Sequence, residues 1–324
     1  MHSPHLFSFL KQFPRSIWVK SALLALLAIG GSLPSSAKTG PASQQFNMLR
    51  EPELRVAIVA YRLSLANVSL CDRVLTAQLG FVVQSRDGGV LSVVPGSEAA
   101  FAGIVTGDQI ESVNGRDVKH VSVNVPQIPG RADSVEPMLI EAMRGGTITL
   151  RVSAAGQSRE LQFRPALGCP ANVELVRGLE VNAWADGSRV IMSEGLLAKC
   201  ATDDDLALVI GHEMAHNLLH HRRRLAAEGV TAPTLLPMTE ALTQKVRETE
   251  EEADRVGVNL ATRAGYDLAS AERFMADLLD PAVPVAATHP ARHRRLLLLH
   301  TAIMEARHGR DPRVAFRGEV LPPS

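Results

Sequence analysis

The pattern of apolar and polar positions divides the chain into a helical start, a β-rich middle and a helical end. Residues 47–68 carry apolar side chains at spacings of three and four, which predicts one amphipathic helix. From about Leu79 the apolar runs shorten and are separated by glycine and polar turns, as is typical of strands. The strand-like runs are FVVQ, GVLSVV, DQIESVNG, TITLRVSA and ELQFRP.

The pattern changes again after Pro165. Residues 181–193, VNAWADGSRVIMS, predict a β-hairpin that turns at Asp186-Gly187. Beyond Glu194 almost every run has a helical period. The predicted helices are 194–200, 203–222, 238–264, 268–279 and 289–308, with a loop at 231–237. The fold class is therefore α+β, with a mainly helical domain that contains a small β-sheet, and a β-rich insert.

The first 37 residues have the three parts of a secretory signal. A basic flank of Lys11, Arg15 and Lys20 precedes the apolar run SALLALLAIGG, and the small residues SLPSSA follow. This pattern predicts a signal peptide over 1–37 and a soluble exported protein, and the expected location is the periplasm of a Gram-negative bacterium. An uncleaved membrane anchor and a secreted protein are the alternatives.

Charge and cysteine content narrow the function classes further. Lys and Arg total 34, and Asp and Glu total 34, so bulk electrostatics give no case for nucleic-acid binding. The cysteines are Cys71, Cys169 and Cys200, an odd number for an exported chain. The favoured disulfide is Cys71–Cys169, because these residues bracket the β-rich insert. A Cys169–Cys200 bond and three buried thiols stay open.

The β-rich segment resembles a PDZ domain of the type found in exported bacterial proteases. The resemblance lies in GGVLSVVPGSEAAFAGIVTGDQIESVNGRDV, which follows Leu79, Gly80 and Phe81. It implies that the backbone N–H groups of these three residues donate hydrogen bonds to the carboxylate of a C-terminal peptide ligand, and that the next strand pairs with the peptide. The alternative is a spacer or a blocked groove, since residues 126–134 form an unusual insertion.

The motif HEMAH, residues 212–216, is the strongest indication of a catalytic site in the sequence. His212 and His216 are four residues apart in a predicted helix, so both side chains can reach one zinc ion. Glu213 is placed to take a proton from a zinc-activated water and to return it to the leaving amine. Two histidines leave a third ligand to be found.

The third ligand is expected on a later helix. A metzincin would need glycine at 219 and histidine at 222, where this chain has Leu219 and Arg222. The run ETEEEADRVG offers Glu250, with Asp254 one helical turn later to accept the spare N–H of His212. Three other glutamates compete for the ligand role: Glu248, Glu251 and Glu252.

HEMAH together with E-x-E-A-D-R-x-G resembles the zinc metallopeptidases of family M48, which include the HtpX-like proteases and the CAAX prenyl protease. Segments 181–197, 261–278 and 288–295 agree, so the resemblance spans about 170–305. It implies a gluzincin fold with one zinc ion per chain, bound by His212, His216 and Glu250. Glu213 is then the general base, and Asp254 accepts a hydrogen bond from a ligating histidine.

The resemblance also implies roles around the zinc site. His289 is expected to contact the open coordination position or the oxyanion, and Arg295 to brace the active-site helices. An extended substrate is expected along a strand edge, either at Asn182, Ala183 and Trp184 or at Val190–Met192. His220, His221, His293 and His300 are interpreted as surface or packing residues.

These expectations combine into one architecture. It comprises a signal peptide over 1–37, a helix that packs on the peptidase over 38–75, a PDZ-like domain over 76–165, a peptidase over 166–310 and a tail over 311–324. The expected activity is zinc-dependent endoproteolysis of exported or misfolded proteins, with peripheral membrane or envelope-protein association as a further expectation. The alternative is a PDZ-based chaperone or adaptor with a latent or structural zinc site.

Overall fold

The computed structural model describes residues 51–71, 75–84, 87–118, 135–230, 239–279 and 292–308. The predicted signal peptide and His289 lie outside these residues. The helices are α1 Glu51–Ala66, α2 Glu98–Phe101, α3 Val135–Arg144, α4 Glu194–Leu197, α5 Asp203–Leu218, α6 His221–Ala227, α7 Glu240–Arg263, α8 Ala271–Leu278 and α9 Arg292–Arg307. The strands are β1 Thr76–Gln78, β2 Phe81–Val83, β3 Val90–Val93, β4 Gln109–Val113, β5 Arg116–Asp117, β6 Ile148–Ala154, β7 Gln157–Phe163, β8 Ala166–Gly168, β9 Val173–Val176, β10 Ala183–Ala185 and β11 Val190–Ser193.

The β-rich middle has a hydrophobic core of its own. Strands β5, β4, β6 and β7 form one antiparallel sheet in that order, and β2 pairs with β3. Alternate residues of these strands point inward, so that Ile110 and Leu150 are fully buried with Leu139 of α3. The apolar pattern did not predict α3. The α+β class is confirmed, whereas the PDZ-like identity of this part stays a prediction.

The two ends of the β-rich part lie side by side. Strand β1 pairs with β8 antiparallel, with Thr76 opposite Gly168. Cys71 and Cys169 form a disulfide with their Cα atoms 5.3 Å apart. Ser64 on α1 holds this junction, because its hydroxyl donates to the carbonyl of Cys169 at 2.6 Å. The β-rich part is therefore joined to the helical part through the β1–β8 strand pair and the Cys71–Cys169 disulfide.

The helical part forms a second core around α5 and α7. The largest buried side chains include Leu63 of α1, Leu206 of α5 and Leu260 of α7. The side-chain amide of Asn67, just after α1, donates to the carbonyls of Leu63 and Leu260 and joins α1 to α7. Within the described ranges, no helix is both long and apolar enough to cross a membrane.

Helix α5 ends earlier than the apolar pattern predicts. It begins at a capping box in which Thr202 accepts from the N–H of Asp205 and the Asp205 side chain accepts from the N–H of Thr202. The predicted helix 203–222 instead stops at Leu218, because His220 adopts a left-handed conformation with φ of 52°. The chain turns there and continues as α6. A single helix across this range was therefore a wrong prediction.

The predicted hairpin at 181–193 forms the strands β10 and β11. They pair antiparallel around the Asp186-Gly187 turn, and β9 adds on the far side of β11 in parallel. Strand β11 is thus central and its residues are buried. The alternative in which Val190–Met192 forms the substrate-facing edge is wrong, because both edges of that strand are already paired.

Candidate active site

Two glycines allow α5 and α7 to cross in direct backbone contact. A β-carbon at Gly257 would come within 2.7 Å of the backbone nitrogen of His212. One at Gly211 would come within 2.8 Å of the Gly257 carbonyl oxygen. Since real β-carbons do not approach that closely, only glycine fits at both positions. The close crossing brings the side chains of Glu250 and Asp254 to the histidines of α5.

His212, His216 and Glu250 converge as a candidate metal centre. The two Nε2 atoms lie 3.1 Å apart, and Glu250 places one carboxylate oxygen 3.7 Å from His212 Nε2 and the other 3.5 Å from His216 Nε2. Four ligands at zinc distances on a tetrahedron lie about 3.3 Å from one another. The spacing and the donor types, two imidazoles and one carboxylate, therefore fit a catalytic zinc ion.

Asp254 orients the first of these histidines. Its Oδ1 lies 2.9 Å from His212 Nδ1, and the guanidinium of Arg295 pairs with both of its oxygens at 2.8 and 2.9 Å. Burial alone would raise the pKa of Asp254, but the charge of Arg295 and the hydrogen bond from His212 lower it. The carboxylate therefore accepts the Nδ1 proton of His212 and leaves Nε2 free to bind a metal.

The neighbouring glutamates are engaged elsewhere. Glu248 is exposed and accepts from the side-chain amide of Gln244 at 3.1 Å. Glu251 pairs with Arg294 of α9. Glu252 pairs with His221 and Arg224. Among the described acidic residues, Glu250 is the one that joins His212 and His216 in a cluster with metal-ligand spacing.

Glu213 lies between the metal centre and the edge of β10. Burial raises the pKa of its carboxyl group, and the nearby charge of Glu250 raises it further. The backbone of Ala185 on β10 lies near this carboxylate and weakly opposes that rise in pKa. A glutamate with a raised pKa is suited to accept a proton and to deliver it again.

His221 is a site residue that sequence reasoning missed. Its side chain is buried, its Nδ1 lies 2.9 Å from His216 Nδ1, and its Nε2 lies 3.2 Å from Glu252 Oε2. The interpretation of His221 as a surface or packing residue overlooked this contact. Its position five residues after His216 gives no signal in a continuous helix, because residues five apart do not share a face.

The hairpin is fixed to the metal-binding helix at its turn. The side-chain oxygen of Asn217 accepts from the N–H of Gly187 at 2.8 Å, and Arg222 donates to the carbonyl of Asp186 at 2.6 Å. Asn217 follows His216 directly, so the strand edge and the metal ligands are positioned by one helix. Asn182, Ala183 and Trp184 lie on or beside β10, the outer strand of its sheet.

One protein family matches the part of the chain that contains these residues. The family model for peptidase family M48 matches the chain over residues 159–245 and 230–303. Together the two matches span residues 159–303, a little under half of the 324-residue chain. These ranges contain the three candidate ligands, Glu213 and Asp254, and the predicted resemblance to the M48 metallopeptidases is confirmed.

Several proteins with assigned names are similar to part of this chain. Mitochondrial metalloendopeptidase OMA1 of Schizosaccharomyces pombe is 25% identical over 163 residues, which cover 43% of this chain and 48% of that protein. The beta-barrel assembly-enhancing protease of Escherichia coli is 27% identical over 161 residues, or 39% of this chain and 33% of that protein. OMA1 of Arabidopsis thaliana is 31% identical over 150 residues, or 39% and 30%. The chain thus spans at most about half the length of these relatives.

The predicted peptide-binding loop, Leu79–Phe81, packs against α1. Gly80 has φ of 74°, and its carbonyl accepts from the backbone N–H of Val94 and the hydroxyl of Ser97. A β-carbon at Gly80 would come 2.4 Å from Ser97 Cβ and 3.5 Å from the ring of Tyr61 on α1. Leu79 and Phe81 flank this glycine, so the loop packs closely on the helix that also enters the peptidase core.

Proposed function

We propose that this protein is a zinc-dependent endopeptidase in which His212, His216 and Glu250 bind one zinc ion and Glu213 is the general base. The convergence of these three ligand side chains beside a buried glutamate carries the proposal. A purely structural zinc site would close its fourth position with another ligand and has no use for a base. The M48 match supports the same conclusion.

Glu213 supplies the proton transfers of the reaction. A zinc ion held by His212, His216 and Glu250 would supply Lewis acidity to a water molecule and to the peptide carbonyl. Glu213 would take a proton from the attacking water as its oxygen bonds to the carbonyl carbon, and would deliver that proton to the amine as the C–N bond breaks. Asp254, held by Arg295, keeps His212 in the tautomer that a ligand needs.

The outer edge of β10 is suited to bind an extended polypeptide. Asn182 and Asp186 form backbone hydrogen bonds with Ser193 and Arg189 on the side of β11. Because bonding alternates along antiparallel strands, the backbone groups of Ala183 and Ala185 face away from β11. We infer that a substrate pairs with this edge, while Asn182 and Trp184 contribute side chains. Pairing there places the substrate backbone next to Glu213.

Exposed apolar side chains lie on β10 and in the segment just before it. Leu179 is 95% exposed and Val181 is 45% exposed, while Trp184 is 43% exposed. The backbone beneath them is fixed, because Gly195 N–H donates to the carbonyl of Gly178 and the Ser193 hydroxyl donates to Glu180. A fixed segment that displays apolar groups favours substrates with exposed apolar residues, such as unfolded polypeptides.

The proposed substrates are exported or misfolded proteins. One relative is named for enhancing β-barrel assembly, and we extend to this chain only polypeptides that have not completed folding. The predicted signal peptide supports export to a periplasm and contact with envelope proteins. The PDZ-like part would dock substrates by pairing with β2, which among the described strands pairs only with β3.

Metal analysis and a cleavage assay test this function. We expect the mature protein to hold one zinc ion per chain and to cleave casein, a protein without a stable fold. Removal of zinc with a chelator should stop cleavage, and added zinc should restore it. Zinc-free protein that still cleaves casein would refute the metal role. Zinc-loaded protein that cleaves nothing, even without the β-rich part, would favour the adaptor alternative.

A further inference from the structure

A buried histidine, His221, and a partly buried glutamate, Glu252, lie behind His216 and take no part in the mechanism above. We propose that His221 and Glu252 are positioning residues that hold His216 with its Nε2 lone pair directed at the metal site. This inference rests on the proposed function, in which His216 is a zinc ligand. In this inference His221 and Glu252 fix the tautomer of His216, as Asp254 fixes the tautomer of His212.

The contacts determine which nitrogen of each ring carries a proton. Glu252 Oε2 lies 3.2 Å from His221 Nε2, and a carboxylate can only accept, so His221 is protonated at Nε2. The Nδ1 atom of a neutral His221 is then an acceptor, and it lies 2.9 Å from His216 Nδ1. His216 must therefore donate from Nδ1, which leaves its Nε2 without a proton.

Charge and burial keep this arrangement in place. Arg224 donates to the same Oε2 atom of Glu252 at 2.9 Å, which holds the carboxylate toward His221. His221 itself is 1% exposed, and water does not compete for its ring nitrogens.

The backbone is bent at the one place that this contact requires. Had α5 continued, the residue five positions after His216 would point to another face of the helix. His220 instead takes a left-handed conformation, with φ of 52°, and α6 begins at His221. A left-handed conformation at a residue other than glycine is unfavourable and persists where the surrounding structure requires it. The turn brings His221 back toward His216.

Each ligating histidine thus has its own partner behind it. His212 donates directly to a carboxylate, Asp254, whereas His216 reaches the carboxylate of Glu252 through the imidazole of His221. Partners of this kind are typically worth about 10–100-fold in metal affinity. The structure therefore assigns zinc retention, and not contact with substrate, to the His221–Glu252 pair.

The zinc dissociation constant, measured by competition with a chelator, tests this role. We expect His221→Leu and Glu252→Gln each to raise the constant about 10–100-fold. The double variant should be no weaker than His221→Leu, because both changes break one chain of contacts. His300→Leu and Glu272→Gln are matched controls, since His300 and Glu272 form an exposed pair at 2.7 Å, and they should leave the constant unchanged.

A conservative variant separates positioning from packing. His221→Asn keeps a side-chain oxygen that can accept from His216 Nδ1, so it should recover part of the zinc affinity lost in His221→Leu. The inference is overturned if His216→Ala loses zinc while folded His221→Leu and Glu252→Gln bind zinc as tightly as the wild type. A lower melting temperature of the zinc-free variants with an unchanged dissociation constant would also overturn it. Failure of the wild type to bind zinc would instead refute the proposed function.

Discussion

Gly257 lies directly against the backbone of His212, so that a β-carbon at 257 would meet the His212 nitrogen at 2.7 Å. This contact sets the distance between the helix that carries two of the candidate ligands and the helix that carries the third. The candidate metal centre therefore depends on a residue that has no side chain and is not one of its ligands.

The first prediction concerns this helix crossing. Gly257→Ala should lower both the free energy of unfolding and the zinc affinity, because the helices must move apart. Overpacking of this kind costs about 1–3 kcal/mol, more than the gain of about 1 kcal/mol in helix preference. Chemical denaturation and chelator competition measure the two effects. Arg255→Ala, an exposed change on the same helix, is the control and should shift stability by less than about 0.5 kcal/mol.

The second prediction concerns the three cysteines. Burial raises the pKa of the Cys200 thiol to about 12, so it stays protonated and unreactive at neutral pH. Cys71 and Cys169 are bonded to each other. Iodoacetamide should therefore add no label to the native protein, one label after denaturation without reductant, and three after reduction. Mass spectrometry counts the labels. Three labels without reductant would contradict the disulfide.

The third prediction concerns the attachment of the hairpin to α5. Asn217→Ala removes the acceptor 2.8 Å from the N–H of Gly187, a hydrogen bond at an exposed turn that is worth about 0.5–1.5 kcal/mol. We expect kcat/KM for casein peptides to fall about 10-fold, while the zinc dissociation constant stays unchanged. Equal losses of zinc and of activity would show that Asn217 supports the metal centre instead of the strand edge.

The fourth prediction concerns the exposed apolar residues beside β10. Leu179→Ser should lower kcat/KM about 10-fold for peptides with a large apolar residue and leave polar peptides unaffected, because burial of a leucine is worth about 1.5–3 kcal/mol. Leu297→Ser on α9, also exposed, is the matched control. A uniform loss across all peptides would argue against a specificity role for Leu179.

The sequence was informative where the chemistry depends on local spacing. His212 and His216, like Glu250 and Asp254, are pairs separated by one helical turn, and a helix brings each pair to one face. Gly257 stood out in the same motif as a small residue. The helical period therefore predicted the candidate ligands and the partner of His212 before any tertiary contact was known.

The remaining parts of the site depend on features without a periodic signal. The contact of His221 with His216 needs the left-handed turn at His220, and apolar periodicity extends through that residue. The substrate edge could not be chosen between two strands, because strand order in a sheet follows from tertiary packing. In the structure β9 pairs with β11, so β10 is the strand of this hairpin that keeps an outer edge. The turn at His220 and the strand order depend on packing between elements, so the periodicity of a single segment does not predict them.

The cleavage of casein by wild-type protein and by Glu213→Gln, at equal zinc content, tests the central claim most directly. We expect both proteins to hold one zinc ion per chain, and we expect Glu213→Gln to cleave about 10²–10⁴-fold more slowly, since proton transfer by a positioned residue contributes that much. Glu248→Gln, a change of an exposed glutamate on α7, is the control and should cleave at the wild-type rate. Cleavage by zinc-loaded Glu213→Gln at the wild-type rate would contradict the account.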